Sequence, residues 1–222
     1  MATSGSRDFT LDVADLIEEA YERCGFEQRT GYDAKTARRS LNLKFADWAN
    51  RGVNLWTVKL GTQTVTAADT NYQLDASIAD LLEVVIRRDG VDYEMERISR
   101  GEYHSLPNKT STGRPSQFYF NRQTTPELNI WPSPENSTDQ IRYYYVQRIE
   151  DADALVNDVD APFRFLPCMA AGLAYYLAVK KAPDRVQLLK TIYEEEFQRA
   201  SDEDEDRVPL KLTPSVRYLR VR

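Results

Sequence analysis

The stretch LNIWPSPENSTDQIRYYYVQ (residues 128–147) decides how the middle of this chain is read. It sets one tryptophan between apolar residues and prolines, then three consecutive tyrosines beside an arginine. Aromatics next to Arg142 are what a stacking platform for single-stranded nucleic acid needs. Aromatic and β-branched residues in alternation are also what a half-buried strand needs. In a strand, successive side chains point to opposite faces, so Tyr143, Tyr144 and Tyr145 form no continuous platform. Tyrosine suits a half-buried sheet with its hydroxyl at the edge. The stretch is therefore read as two neighbouring strands and their turn, with Trp131 and the tyrosines packing a sheet. Ile141, Tyr143 and Tyr145 take one face; Arg142, Tyr144 and Val146 take the other. Pro132 and Pro134 cannot donate ladder hydrogen bonds, which puts them at or beyond a strand end.

The residues upstream keep the same period of two. EVVIRRDGVDYEMERI (83–98) carries a hairpin signal, since Asp89-Gly90 is a good two-residue type I′ turn. That turn sets Ile86 against Tyr93 and Val84 against Met95 on an apolar face, with Arg87 opposite Asp92 on the other. The same register opposes Glu83 to Glu96, a like-charge pair it does not explain. GRPSQFYFNR (113–122) reads as a turn and a strand with Phe118 and Phe120 on one face, and LWTVKLGTQTVTA (55–67) as one or two strands. A short helix or turn covers residues 99–106.

On both sides of this region the period changes to 3.6. Val13, Leu16, Ile17, Ala20, Tyr21 and Cys24 share one helical face over residues 12–24. Asp12 or Thr10 caps the start and Gly25 ends it. A second helix is expected over 34–50, with Asp33 as cap, Gly52 as terminator and Ala37, Leu41, Phe45 and Trp48 as its apolar stripe. Arg38, Arg39, Lys44 and Asp47 are assigned to a solvated or interface surface. After residue 150, Asp160 with Pro162 signals a helix start. Leu166, Met169, Ala170, Leu173 and Leu177 follow at helical spacing, with small residues filling the rest of that helix. Pro183 and Asp184 open a fourth helix that turns Val186, Leu189, Tyr193, Phe197 and Ala200 inward. The fold class is α+β: a four-helix bundle formed by N- and C-terminal helical pairs, an inserted antiparallel β domain, and an extended C-terminal arm. The divisions fall at 1–52, 53–150, 151–206 and 207–222.

Composition narrows the function. With 41% hydrophobic and 29% charged residues, the chain is ordinary for a globular protein. Its longest apolar run, 169–179, is too short to span a bilayer, and its start lacks the pattern of a secretory signal. Two cysteines, Cys24 and Cys168, exclude a disulfide scaffold and read as buried free thiols. A net charge of −6 argues against a general DNA-binding domain, which would neutralise phosphates. His104 is the single histidine. No zinc pattern, phosphate loop, dinucleotide fingerprint or nucleophile elbow occurs. The acids of YEEEF (193–197) point in different directions around a helix and read as a solvated face. The chain is not read as an enzyme, and no cofactor or metal is expected.

The end of the chain carries the sharpest signal. Residues 194–206 hold eight acids and one base, whereas residues 207–222 hold five bases and no acid. Val208, Leu210 and Leu212 alternate with Pro209, Lys211 and Thr213. After Pro214, Val216, Tyr218, Leu219 and Val221 mix with Arg217, Arg220 and Arg222. Such a coreless apolar and basic ribbon is expected to lie on a partner.

Taken together, the helical pairs, the phrases GRPSQFYFN, LNIWPSP and IRYYYVQ, the small-residue helix MAAGLAYYLA and the acidic last helix resemble the head-to-tail adaptors of short-tailed bacteriophages. That family is also known as tail tubular protein A or gatekeeper-like connectors. The resemblance covers roughly residues 12–206. It implies a structural virion protein at the head-tail junction, assembled in the host bacterial cytoplasm. Its copies would form a ring, typically a dodecamer, between the portal protein and the tail nozzle protein, and would extend the channel through which genomic DNA passes without specific binding. The helices would form the ring body, and the β insert would project toward the tail or a neighbouring subunit. Val208, Leu210, Leu212, Val216, Arg217, Tyr218, Leu219, Arg220, Val221 and Arg222 would dock on the portal. A nucleic-acid-binding accessory protein using the tyrosine strand is the alternative.

Overall fold

A computed structural model describes residues 5, 9–52 and 55–204. Helix α1 (Val13–Cys24) starts where Asp12 Oδ1 accepts from the Asp15 amide at 2.7 Å, and it ends at Gly25 in the left-handed region. Helix α2 (Gly31–Arg51) begins three residues before the expected start. Its cap is Thr30, and Asp33 is its third helical residue. Thr30 Oγ1 accepts from the Asp33 amide and Asp33 Oδ2 accepts from the Thr30 amide, each at 3.2 Å. This reciprocal pair satisfies two amides at once, which a lone Asp33 cap would not do.

Among the described residues ten strands follow: β1 (Val58–Thr64), β2 (Asn71–Gln73), β3 (Ile78–Arg88), β4 (Val91–Glu94), β5 (Glu96–Arg97), β6 (Thr112–Gly113), β7 (Gln117–Asn121), β8 (Glu127–Trp131), β9 (Ser133–Pro134) and β10 (Gln140–Gln147). A short helix α3 (Arg100–Ser105), capped by Ser99, lies among them. The chain then returns to helix as α4 (Leu166–Lys181) and α5 (Val186–Glu203). The result is a mixed α+β fold.

Eight of the strands form two four-stranded sheets, β1-β10-β3-β4 and β2-β8-β7-β5, and β6 and β9 form a small third sheet. Leu81, Val84, Ile86, Ile141 and Tyr143 of the first sheet meet Tyr72, Phe118, Phe120, Leu128 and Ile130 of the second in one buried cluster. Pairing is antiparallel except in β5–β7 and β6–β9, which are parallel and two residues long. The hairpin has the expected register: Ile86 faces Tyr93, and Arg87 faces Asp92 with their charges 3.6 Å apart. Asp89 and Gly90 both hold positive φ, 51° and 82°, as a type I′ turn requires. The Glu83–Glu96 opposition does not arise. After Met95 donates to Val84 at 3.0 Å, the chain leaves β3, and Glu96 pairs with Gln117 in the other sheet.

The 128–147 stretch departs from its expected layout. Its two strands are not neighbours: β8 pairs with β2 and β7, whereas β10 pairs with β1 and β3. The chain between them crosses from one sheet to the other. Arg88 holds this crossing through paired bonds of 2.7–3.2 Å to the buried Asp139 and one of 2.6 Å to Glu135. The face assignment of β10 is as expected, with Ile141 and Tyr143 buried inward. Tyr143 lies across Gly61, where a Cβ would stand 2.5 Å from its ring.

A second buried cluster is shared by α1, α2, α4 and α5. Helix α4 is its centre and is buried on nearly every side, from Leu166 and Met169 through Ala171, Gly172 and Ala174 to Leu177. A helix apolar all round is one that others surround, and small residues let them approach closely. Trp48 packs on Phe165 at 5.3 Å and donates through Nε1 to Tyr193 Oη at 3.1 Å. Ala152 exchanges hydrogen bonds with the Asn42 side chain, docking the returning chain on α2.

Candidate functional site

The ten arm residues named from the sequence, from Val208 to Arg222, lie outside the described residues. The tyrosine strand lies within them and makes a poor nucleic-acid platform. Tyr143 is buried and Tyr145 half-buried, and Tyr144, 46% exposed, stands beside Leu60 on the outer face of its sheet. Arg142 is already paired with Asp92 at 3.8 Å. His104 is exposed on α3, away from any cluster of metal-ligating side chains among the described residues. Within YEEEF, Glu194 binds Arg51 through two bonds of 2.9 and 3.2 Å, and Glu196 pairs with Arg199.

Lys44 overturns its assignment to a solvated surface. It is fully buried against α4 and α5. Its Nζ donates to the Cys168 carbonyl at 3.2 Å and lies 3.6 Å from the Tyr193 ring centroid and 5.0 Å from that of Trp48. A Cβ at Gly172 would come within 2.5 Å of Lys44 Cε and 2.8 Å of the Tyr193 ring, so only glycine leaves room for the ammonium. Burial lowers the Lys44 pKa to about 7, and burial pushes the Cys168 thiol up to about 12. The spacing 37, 41, 44, 48 already placed this lysine on the apolar stripe; its charge hid it. The amine faces side chains and a carbonyl and is fully buried, so its role is in packing.

The most site-like surface is one the sequence reading missed. A groove of about 600 Å³ runs between α1 and the start of α4. Phe9, Leu11, Phe163, Leu166, Pro167 and Ala170 supply its apolar lining, and Asp15, Glu18, Glu19 and Glu22 supply an acidic wall along α1. Phe9 and Phe163 meet edge to face at 6.3 Å yet remain 62% and 70% exposed. Arg23, the one base among the described residues that line it, is paired with Glu19 at 2.7 Å. One residue beyond Phe163, Arg164 binds the buried Asp204, which fixes the end of α5 at the groove's edge. The local signal was present as acids at positions 15, 18 and 22, which fall on one face of a helix, but the facing aromatics are far apart in sequence. No helix among the described residues is long and apolar enough to cross a membrane.

The described residues thus form a two-sheet β unit and a helical core with an acidic groove. A search of curated proteins finds no match. The family model described as SU10 adaptor protein matches residues 8–216, nearly the whole chain and part of the arm. The chain therefore belongs to the SU10 adaptor protein family, a structural family of phage head-to-tail adaptors.

Proposed function

We propose that this protein joins the phage head to its tail as a ring seated between the portal protein and the tail nozzle protein. The observation that carries this reading is the family match over residues 8–216, which runs through both helical pairs, the β unit and the first part of the arm. In this reading the subunits form a dodecamer. The N- and C-terminal helical pairs, residues 1–52 and 151–206, act as a four-helix bundle that builds the ring body. The inserted unit, 53–150, projects toward the tail or a neighbouring copy. The ring extends the channel for genomic DNA, and a net charge of −6 suits a conduit that does not grip phosphates. Assembly takes place in the host bacterial cytoplasm, and the protein ends in the virion.

Residues 208–222 serve as the portal-docking arm. Their apolar and basic alternation fits addition to a partner's surface. Removing residues 207–222 abolishes capture on portal rings in a pull-down, while circular dichroism of the shortened chain stays that of the full protein. Undiminished capture by the shortened chain would end the docking proposal. A ring with a central channel in electron micrographs of portal-bound protein tests the oligomer.

A further inference from the structure

We propose that, before assembly, the groove between α1 and the start of α4 is the seat of the chain's own residues 207–222. Three observations converge on this occupant. The groove is an apolar floor beside an acidic wall made by Asp15, Glu18, Glu19 and Glu22, and the one base among its described lining residues is already paired. Residues 207–222 are apolar and basic, with five bases and no acid, so they suit its apolar lining and are opposite in charge to its wall. The last helix also delivers the chain to the groove. Asp204 is tied to Arg164, next to the groove-lining Phe163, so two residues separate it from Arg207.

Reach and concentration agree with a seat in the same chain. Sixteen extended residues span up to roughly 50 Å at about 3.3 Å each, and α1, with twelve residues, is about 18 Å long at 1.5 Å per residue. A tether of so few residues gives an effective concentration in the millimolar range, above the free concentration of a second copy in dilute protein. Charge attraction of this kind is screened by salt, because Asp15, Glu18 and Glu22 are exposed. Seating covers Phe9 and Phe163, aromatic surface that would otherwise favour association of free subunits. The inference stands apart from portal docking: the same segment holds one seat in the free subunit, whatever it meets afterwards.

The test uses the full chain. Lys211 is the one lysine in residues 207–222, so a zero-length carbodiimide cross-link reports which carboxylates it touches. Equal amounts of ordinary and nitrogen-15-labelled protein are mixed, cross-linked at low salt and mapped by mass spectrometry. The expected products join Lys211 to Asp15, Glu18, Glu19 or Glu22 with both peptides carrying the same isotope. In the full-chain variant Glu18→Lys with Glu22→Lys, the yield at the remaining Asp15 and Glu19 falls at least five-fold. Three results would overturn the proposal. Peptides of mixed isotope would place a second copy's segment in the groove. Lys211 joined only to acids outside α1, or to none, would leave the groove without this occupant. A yield unchanged in the charge-reversed variant would remove the electrostatic basis. Portal capture is a separate measurement, so either idea can fail without the other.

Discussion

Lys44 shows how one residue can be misread by its charge and placed correctly by its spacing. Its Nζ has a carbonyl, two aromatic faces and the space left by Gly172 in place of water. Gly172→Ala forces Lys44 and Tyr193 to move and should lower stability by about 2 kcal/mol, an ordinary overpacking penalty, measured by urea unfolding. The lysine also makes stability depend on pH with a definite sign. Below its folded pKa of about 7, it is charged both folded and unfolded, and the burial penalty is complete. Above that value the unfolded chain binds more protons, so stability rises with pH. The buried thiol of Cys168, raised to about 12, acts in the opposite direction once pH passes the free-thiol range of ~8.5. The window is therefore about pH 7 to 8.5, with a rise on the order of 1–2 kcal/mol. The rise disappears in Lys44→Met, which packs the same space without a charge to bury. A flat profile in the parent protein would show that Lys44 keeps an ordinary pKa.

Among elements, the hairpin and the crossing behind it separate what local signals specify from what they do not. Asp89-Gly90 sets the β3–β4 register by itself, because a type I′ turn needs two residues at positive φ and matches the twist of the strands. Gly90→Ala places a methyl group at φ 82° and should cost about 1–2 kcal/mol. The point where this hairpin stops, at Met95, is not encoded in the turn. It depends on Gln117 competing for Glu96 from another sheet. The same holds for the segment between β8 and β10, which looked like the turn of a hairpin and is a crossing between sheets. Its anchor is the Arg88–Asp139 pair, where the carboxylate is buried and the guanidinium makes its bonds to it side by side. Asp139→Asn should weaken the sandwich by about 2 kcal/mol, the worth of a charge-assisted bond, read as faster hydrogen exchange in β3 and β10.

At the scale of the molecule, the two buried clusters have no residue in common among the described residues. Leu173→Ala at the centre of α4 should cost about 3 kcal/mol, as large-to-small core changes do. Hydrogen exchange should place that loss mainly in α1, α2, α4 and α5, with the sandwich amides less affected, as separate cooperative units require. Uniform loss across both clusters would mean that the chain opens as one unit. The family's task of joining a head to a tail rests on surfaces more than on either core. The acidic wall on α1 and the basic segment 207–222 are complementary in charge although they stand at opposite ends of the sequence.

The amino-acid sequence by itself determined the order of elements: helical pair, strands, helical pair. It also determined most helix ends, the hairpin register and the inward faces of β7 and β10. Each of these depends on a few consecutive residues, through capping, turn chemistry and periodicity. Only the tertiary structure decided which strands share a sheet, that Lys44 is buried, and that α1 and α4 frame a groove. Those outcomes depend on partners far along the chain, such as Cys168, 124 residues from Lys44. Burial of a charge is set by the space and dipoles its neighbours supply, and no local pattern states which neighbours will arrive.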